Sequence, residues 1–234
     1  MNRFSQRSAQ TELIDEPGIP FSDWEVCLHE LNIVNTFLGG HKITIEAVKL
    51  LLNDLIADKG KVIICEIGCG GGDNLKAIQK ANKNNIPIQY IGIDINKACT
   101  EFAALNCKEL NAEFICSDYR NVEFREKPDI IFNSLFCHHF TNAELVDMLR
   151  WMKQNSVKGF FINDLQRHPF AYHSIKALTA VFSKSYLVKN DGPISVLRGF
   201  NKNEWIQLLT KAGITNYSIH WRWAFRYLVV IKNE

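Results

Sequence analysis

Apolar positions along the chain change rhythm several times, and each rhythm predicts an element. From Ser22 onward, Trp24, Leu28, Leu31 and Leu38 recur at helical spacing, with Ser22 or Asp23 placed to cap the start and Gly39-Gly40 to stop it. A second helix over about residues 44–57 sets Ile45, Val48, Leu52, Leu55 and Ile56 on one face. The body then alternates short unbroken apolar runs with helical stretches. Val62–Glu66, Tyr90–Asp94, Ala112–Cys116, Asp129–Ser134 and Gly159–Asp164 read as strands, and residues 73–83, 96–110 and 142–154 as the helices between them. Strands that are apolar on both faces belong to a parallel sheet covered on both sides. The pattern predicts an α/β, three-layer, doubly wound sandwich.

After the fifth strand the alternation breaks. Residues 165–200 predict a helix over about 170–184 and then an irregular stretch around Asp191-Gly192-Pro193, an insertion placed to act as a lid. A helix over 202–212 stops at Gly213, and two further strands, 214–221 and 225–232, lie too close together for a crossover and must pair antiparallel. That makes seven strands. Residues 1–20 are polar and end in Pro17-Gly18-Ile19-Pro20, which reads as a flexible tail. Residues 21–234 then form one domain, with 21–57 as N-terminal cap helices.

Composition narrows the function classes. The 234 residues are 47% hydrophobic, and 27 Lys and Arg against 25 Asp and Glu leave a net charge of +2 with no basic block, which disfavours nucleic acid as a partner. Seven cysteines, at 27, 65, 69, 99, 107, 116 and 137, include no Cys-x-x-Cys pair; they read as packed thiols, and no metal site is expected. The first 20 residues have no apolar segment of the signal-peptide kind, and no run approaches the ~18 residues of a membrane span, so the expected location is cytoplasmic.

Chemistry is concentrated at four strand ends. Val62 to Glu66 runs into Gly68-x-Gly70-x-Gly72 with a helix directly after, a turn that lets backbone approach a ligand and aims helix N-terminal amides at it. A dinucleotide fingerprint would need glycine at position 73, where this chain has Asp73, and would not ask for the acid Glu66. Asp94 ends the second strand, where a carboxylate accepts from both ribose hydroxyls of an adenosine-type ligand; it equally suits capping of the next helix. Asp118 ends the third, placed to accept from an adenine amino group with Tyr119 beside the ring, or to make a turn. The fourth runs through Asn133-Ser134-Leu135-Phe136 to His138-His139.

Together these ends resemble the class I S-adenosylmethionine-dependent methyltransferases. Glu66, Gly68, Gly70 and Gly72 are similar to that family's first motif, Asp94 to its ribose acid, Asp118 to its adenine-side acid, and the 133–139 segment to its fourth motif. The resemblance covers residues 44–165 and extends to the terminal hairpin. It implies a sheet in the order 3-2-1-4-5-7-6 with the last strand antiparallel, and S-adenosylmethionine as cofactor, released as S-adenosylhomocysteine. It further implies a cofactor site of Glu66, Gly68, Cys69, Gly70, Gly72, Asp94, Ile95, Asp118, Tyr119 and Ser134. Many members carry Asn or Asp where this chain has Ser134. The flanking runs Asn35 to His41 and Asp164 to Tyr172 resemble small methyltransferases of bacterial polyketide and phenolic-compound pathways.

Methyl transfer from a sulfonium is an in-line displacement in which positioning does most of the work. A phenol acceptor, of reference pKa near ~10, is helped at neutral pH by a base, and histidine suits that task. The candidates are His139, Asp164 and His168, the last two as a carboxylate–histidine pair, although Asp164 with Arg167 also reads as a loop salt bridge. His138 and His173 read as structural residues, and His41 as a turn residue. Ile175, Leu178 and Phe182 form an apolar stripe on the insertion, either core or pocket roof. The reading is methyl transfer to a small, largely apolar acceptor, at a phenol oxygen or an aromatic or quinone ring carbon. An RNA or protein methyltransferase, and a non-catalytic cofactor-binding protein, are the alternatives.

Overall fold

Every residue of β1 (Val62–Ile67) is buried, and its side chains alternate between two cores. Ile63, Cys65 and Ile67 enter one cluster, and Val62 and Ile64 enter the other, as the two-residue period of a strand requires. A strand that feeds two cores must have helices on both faces. The computed structural model describes residues 3–52 and 60–233.

The other strands are β2 (Ile88–Asp94), β3 (Ala112–Cys116), β4 (Ile130–Ser134), β5 (Gly159–Leu165), β6 (Tyr217–Arg222) and β7 (Arg226–Lys232). The sheet order is β3-β2-β1-β4-β5-β7-β6, with β1 to β5 parallel and β7 antiparallel to both β5 and β6, as expected from the sequence. On one face α5 (Asn142–Asn155) contributes Leu145, Met148, Leu149 and Met152, and α8 (Lys202–Lys211) contributes Trp205 and Leu208. On the other, α2 (Gly40–Leu52) contributes Ala47 and Leu51, and α3 (Asp73–Ala81) contributes Leu75 and Ile78. Both α5 and α8 begin with capping boxes, Thr141 with Glu144 and Asn201 with Glu204, which fix where these helices start. The remaining helices are α1 (Phe21–Phe37), α4 (Lys97–Asn106), α6 (Pro169–Phe182) and α7 (Tyr186–Arg198).

Helix α1 starts at Phe21 with Pro20 at its N-cap and no side-chain cap bond, so neither Ser22 nor Asp23 caps it as expected. Three larger expectations change. The second helix starts at Gly40 instead of near 44, and the predicted positions Leu55 and Ile56 lie outside the described residues. The stretch expected to be irregular is α7, which runs through Asp191, Gly192 and Pro193. The proline forfeits one backbone hydrogen bond, but Ser185 caps the helix at Val188, and burial of Leu187, Val188, Ile194 and Val196 offsets the loss. Gly192 also lets α6 come close, since a Cβ there would stand 3.3 Å from Ile175 Cγ1.

The third correction concerns residues 3–20, expected as a flexible tail. They lie as a strap across the carboxyl ends of β4 and β5. Arg7 donates to the carbonyl oxygens of Arg198 (2.8 Å), His138 (3.1 Å) and Phe140 (2.9 Å), and its guanidinium sits over the Phe200 ring at 4.2 Å. The amides of Leu13 and Ile14 donate to the Asp191 carboxylate at 2.8 and 3.0 Å. Each of these bonds satisfies a group that the chain ends of strands and helices leave open.

Candidate active site

The carboxyl ends of parallel strands face the same way, so β1, β2 and β4 deliver their loops to one rim. In the β1 loop Gly68, Gly70 and Gly72 all have positive φ (+68°, +49° and +75°). Gly68 is also required sterically: a Cβ there would come 2.2 Å from the Phe136 ring. The loop is tied to β2 from beneath, by the Gly68 and Cys69 amides donating to Ile93 O and by the Gly70 amide donating to Asp94 Oδ2 at 2.9 Å. Asp94 Oδ1 accepts from the Asn96 amide, and burial nevertheless pushes the carboxyl above its ordinary value. It sits half-buried with lone pairs left over, and Ile95 beside it is exposed.

Glu66 is buried and its ionisation is pushed well up by burial. Its Oε1 accepts from Asn74 Nδ2 at 2.7 Å, while Oε2 has no hydrogen-bond partner among the described residues. Because the Asn74 amide nitrogen is committed to Glu66, its oxygen is left to accept from His41 Nδ1 at 2.8 Å, and His41 Nε2 meets Asn32 at 3.0 Å. His41, read from the sequence as a turn residue, therefore links the glycine-loop carboxylate to α1.

Asp118 and Tyr119 separate. Asp118 caps the short 3-10 turn Tyr119–Asn121 and pairs with Arg120, which holds its carboxyl below the ordinary range. Tyr119 does not lie open beside it: the ring is buried, 5.0 Å edge-on to Trp151, because apolar neighbours from α5 claim it. Ser134 is buried and accepts from Asn163 Nδ2 at 3.3 Å. Cys69 is buried, its thiol pushed up by burial.

Beyond β4 the structure rearranges the expected catalytic set. Asp164 pairs with His138, Nδ1 to Oδ1 at 2.7 Å, and also accepts from the His138 amide at 3.2 Å. Burial pushes the Asp164 carboxyl up, but the charge and hydrogen bond of His138 outweigh it and hold the group below its ordinary value. Neither expected partner of Asp164 reaches it. His168 caps α6 by accepting from the Phe170 amide and stacks on Phe225 at 4.8 Å, and Arg167 pairs with Glu204 at 2.7 Å. His139 Nδ1 lies 3.0 Å from Asp15.

Glu12, from the strap, was invisible in the sequence and completes this group. It is buried, accepts from Ser195 Oγ at 2.8 Å, and faces His138 Nε2 at 3.7 Å and His139 Nε2 at 4.0 Å. Burial pushes its carboxyl up to about 7 against the pull of His139, Ser195 and Arg198. These three residues stand at one end of a cavity of about 350 Å³ whose other walls are mostly apolar, including Leu31 and Val34 of α1, Leu135, and Ile175 and Leu178 of α6. Arg226 also lines it, buried, with Nη1 unpartnered. Helix α1 touches both the cavity and the glycine loop: Leu31 and Val34 line the cavity, and a Cβ on Gly70 would stand 3.3 Å from Leu28 Cδ2.

A family model described as a methyltransferase domain matches residues 64–159, from β1 to the start of β5. Residues 64–159 are thus similar to a methyltransferase domain. Around that domain the whole chain is similar in fold to solved methyltransferases. The plantazolicin methyltransferase BpumL in complex with SAH aligns with a TM-score of 0.66 and 19% identity, over 92% of this chain and 94% of that one. BpumL in complex with a pentazolic desmethylPZN analog and SAH gives 0.67 and 19%, over 92% and 95%. Magnesium protoporphyrin IX methyltransferase (ChlM) from Synechocystis PCC 6803 with bound SAH gives 0.57 and 14%, over 99% and 91%. No curated protein sequence matches the chain. The domain's fold is thus the class I methyltransferase fold anticipated from the four strand ends, and no helix among the described residues is long and apolar enough to cross a membrane.

Proposed function

We propose that the protein transfers a methyl group from S-adenosylmethionine to a hydroxyl oxygen of a small, largely apolar acceptor, with a ring carbon of a phenol or quinone as the nearest variant. The observation that carries this reading is the cavity: lined mostly by apolar side chains, with Glu12, His138 and His139 among its polar lining, and bordered by α1, the helix whose Leu28 lies against the glycine loop. A cavity of this size suits a compact flat acceptor and has no basic rim for a polyanion.

The chain's own residues fit the cofactor. Unpartnered, buried Glu66 Oε2 calls for a donor, and the ammonium of a methionine moiety would satisfy it while restoring the carboxylate charge. Asp94 would accept from the ribose hydroxyls, Ile95 would cover the adenine, and Gly68 and Gly70 would give room for close backbone approach. S-adenosylmethionine supplies a methyl on a sulfonium. The cavity's polar end would bind the acceptor hydroxyl and lower the cost of its ionisation, with Asp164 positioning His138 and with Arg226 donating to a second acceptor oxygen. The neighbouring folds, with SAH bound in a plantazolicin and a porphyrin methyltransferase, support the cofactor and an acceptor larger than a single ring.

The test is turnover. Purified protein with S-adenosylmethionine and a panel of phenols, quinones, heteroaromatic carboxylates, tRNA and peptides should release S-adenosylhomocysteine with the apolar members only. Turnover confined to RNA or peptide, or tight cofactor binding with no turnover across the panel, would overturn the acceptor assignment.

A further inference from the structure

Glu12, His138 and His139 each present one ligand atom, and these atoms lie within 4.8 Å of one another. The arrangement is held from behind. The His138 ring is fixed by Asp164 at Nδ1 (2.7 Å) and the His139 ring by Asp15 at Nδ1 (3.0 Å), so both Nε2 atoms turn toward the same carboxylate. Imidazoles that ligate metals characteristically have their second nitrogen held by a carboxylate or carbonyl, which sets the tautomer and the ring plane. Here both do.

The distances to Glu12 discriminate between a hydrogen-bonded cluster and a cation site. At 3.7 and 4.0 Å the Nε2 atoms are too far from Glu12 to be hydrogen-bonded to it. Two ligands of one tetrahedral zinc-class ion stand about 3.4 Å apart when each bond is ~2.05 Å, so small side-chain rotations bring all three atoms onto one ion. Glu12 is 2% exposed, and its Oε1 has no hydrogen-bond partner although it is the atom that faces His138. The nearest protein cation, Arg198, has its Nε 3.5 Å from that oxygen but gives its hydrogen bonds to the carbonyls of His138, His139 and Gln10. It braces the histidine segment and leaves Oε1 without a hydrogen bond among the described residues, while Oε2 accepts from Ser195 Oγ.

We propose that Glu12, His138 and His139 form a three-ligand site for a zinc-class divalent cation, with its fourth position open to the apolar cavity. Two imidazoles and one carboxylate with one open position is a catalytic type of donor set, as distinct from the closed four-ligand sets of structural zinc. The cation would give a direct partner to Oε1 of a buried carboxylate whose other oxygen already accepts from Ser195. It would also offer the acceptor oxygen a Lewis acid, which lowers the pKa of a bound hydroxyl. That last use rests on the proposed function; the site itself does not.

The experiment uses the full chain freed of metal by chelator, titrated with Co2+ by visible absorption and with Zn2+ by competition against a chromophoric chelator. The expected result is one Co2+ per chain with the bands of a four- or five-coordinate ion, displaced by Zn2+. Glu12→Gln and His139→Ala should each weaken binding by more than about 100-fold, and Asp15→Asn, behind the ligand shell, by about 10–100-fold. His173→Ala, on the outer face of α6, should bind as wild type. Melting by circular dichroism checks each variant; if Glu12→Gln does not fold, Asp15→Asn decides. No stoichiometric binding, or binding unchanged in Glu12→Gln and Asp15→Asn, overturns the site. Calorimetry with S-adenosylmethionine on the same samples keeps the two readings apart: cofactor binding without cation binding removes this inference alone, and absent cofactor binding removes the proposed function.

Discussion

Asp94 shows how one side chain serves both the fold and the proposed site. It accepts from the Gly70 and Asn96 amides and so ties the glycine loop to the start of α4, while the cap of that helix is the Asn96 side chain and not Asp94, and the ligand acid belongs to the proposed function. Asp94→Ala should weaken S-adenosylmethionine binding by about 100-fold in calorimetry, the scale of one or two charge-assisted hydrogen bonds. An unchanged affinity would remove the ribose assignment. Glu66 gives a pH signature. Burial raises its pKa in the folded chain above the ordinary 4.5, so between that value and the folded pKa the native state holds a proton the unfolded chain has lost. Stability is then greatest at acid pH and falls as pH rises through the folded pKa. Without cofactor, Glu66→Gln should lose less stability than wild type as pH rises above the ordinary carboxyl value, read from denaturant midpoints; parallel slopes would contradict the burial argument.

Among elements, the strap of residues 3–20 departs most from expectation. Its composition is polar and aperiodic, which in isolation describes a tail. What holds it is long-range: Arg7 collects the carbonyls of His138, Phe140 and Arg198, and Asp191 collects two strap amides. No local pattern announces such bonds, because their partners come from α7 and the β4 loop. Arg7→Ala should cost about 1–3 kcal/mol of stability by losing charge-assisted bonds, and should lower the melting temperature accordingly. Because Arg7 holds the segment that carries His138, acceptor turnover should fall more than cofactor affinity does; equal losses would make the strap a purely structural brace. The same lesson explains α7, where a helix is built through Gly192 and Pro193 because its buried face outweighs the local penalty.

At the scale of the whole molecule, the sheet places the glycine loop with Asp94 and the cavity on one rim, and α1 contributes side chains to both, Leu28 against Gly70 and Leu31 and Val34 to the cavity wall. Their different linings predict separable effects. Leu178, half-exposed on α6 and lining the cavity, can be replaced by Trp with little loss of stability. Leu178→Trp should raise the acceptor KM by at least about tenfold while the S-adenosylmethionine Kd stays at its wild-type value. A rise in both would mean that Leu178 does not bear on acceptor binding alone.

The sequence by itself determined the alternation of strands and helices, the antiparallel terminal hairpin and the glycine loop with its carboxylates, because these rest on local rules: apolar period, glycine at a tight turn, an acid at a strand end; the strand order came with the family resemblance. The four-strand pattern also led to the methyltransferase domain that the family match independently identifies. Tertiary structure decided everything that required two distant segments to meet. It buried Tyr119 in the core, gave His168 to the cap of α6, and moved the partner of Asp164 from His168 to His138. It also carried Glu12 and Asp15 from the strap to His138 and His139, side chains more than 120 positions away. Periodicity reports which face of an element is apolar, but not which polar side chain from another segment will stand opposite it. At this site that pairing sets the chemistry.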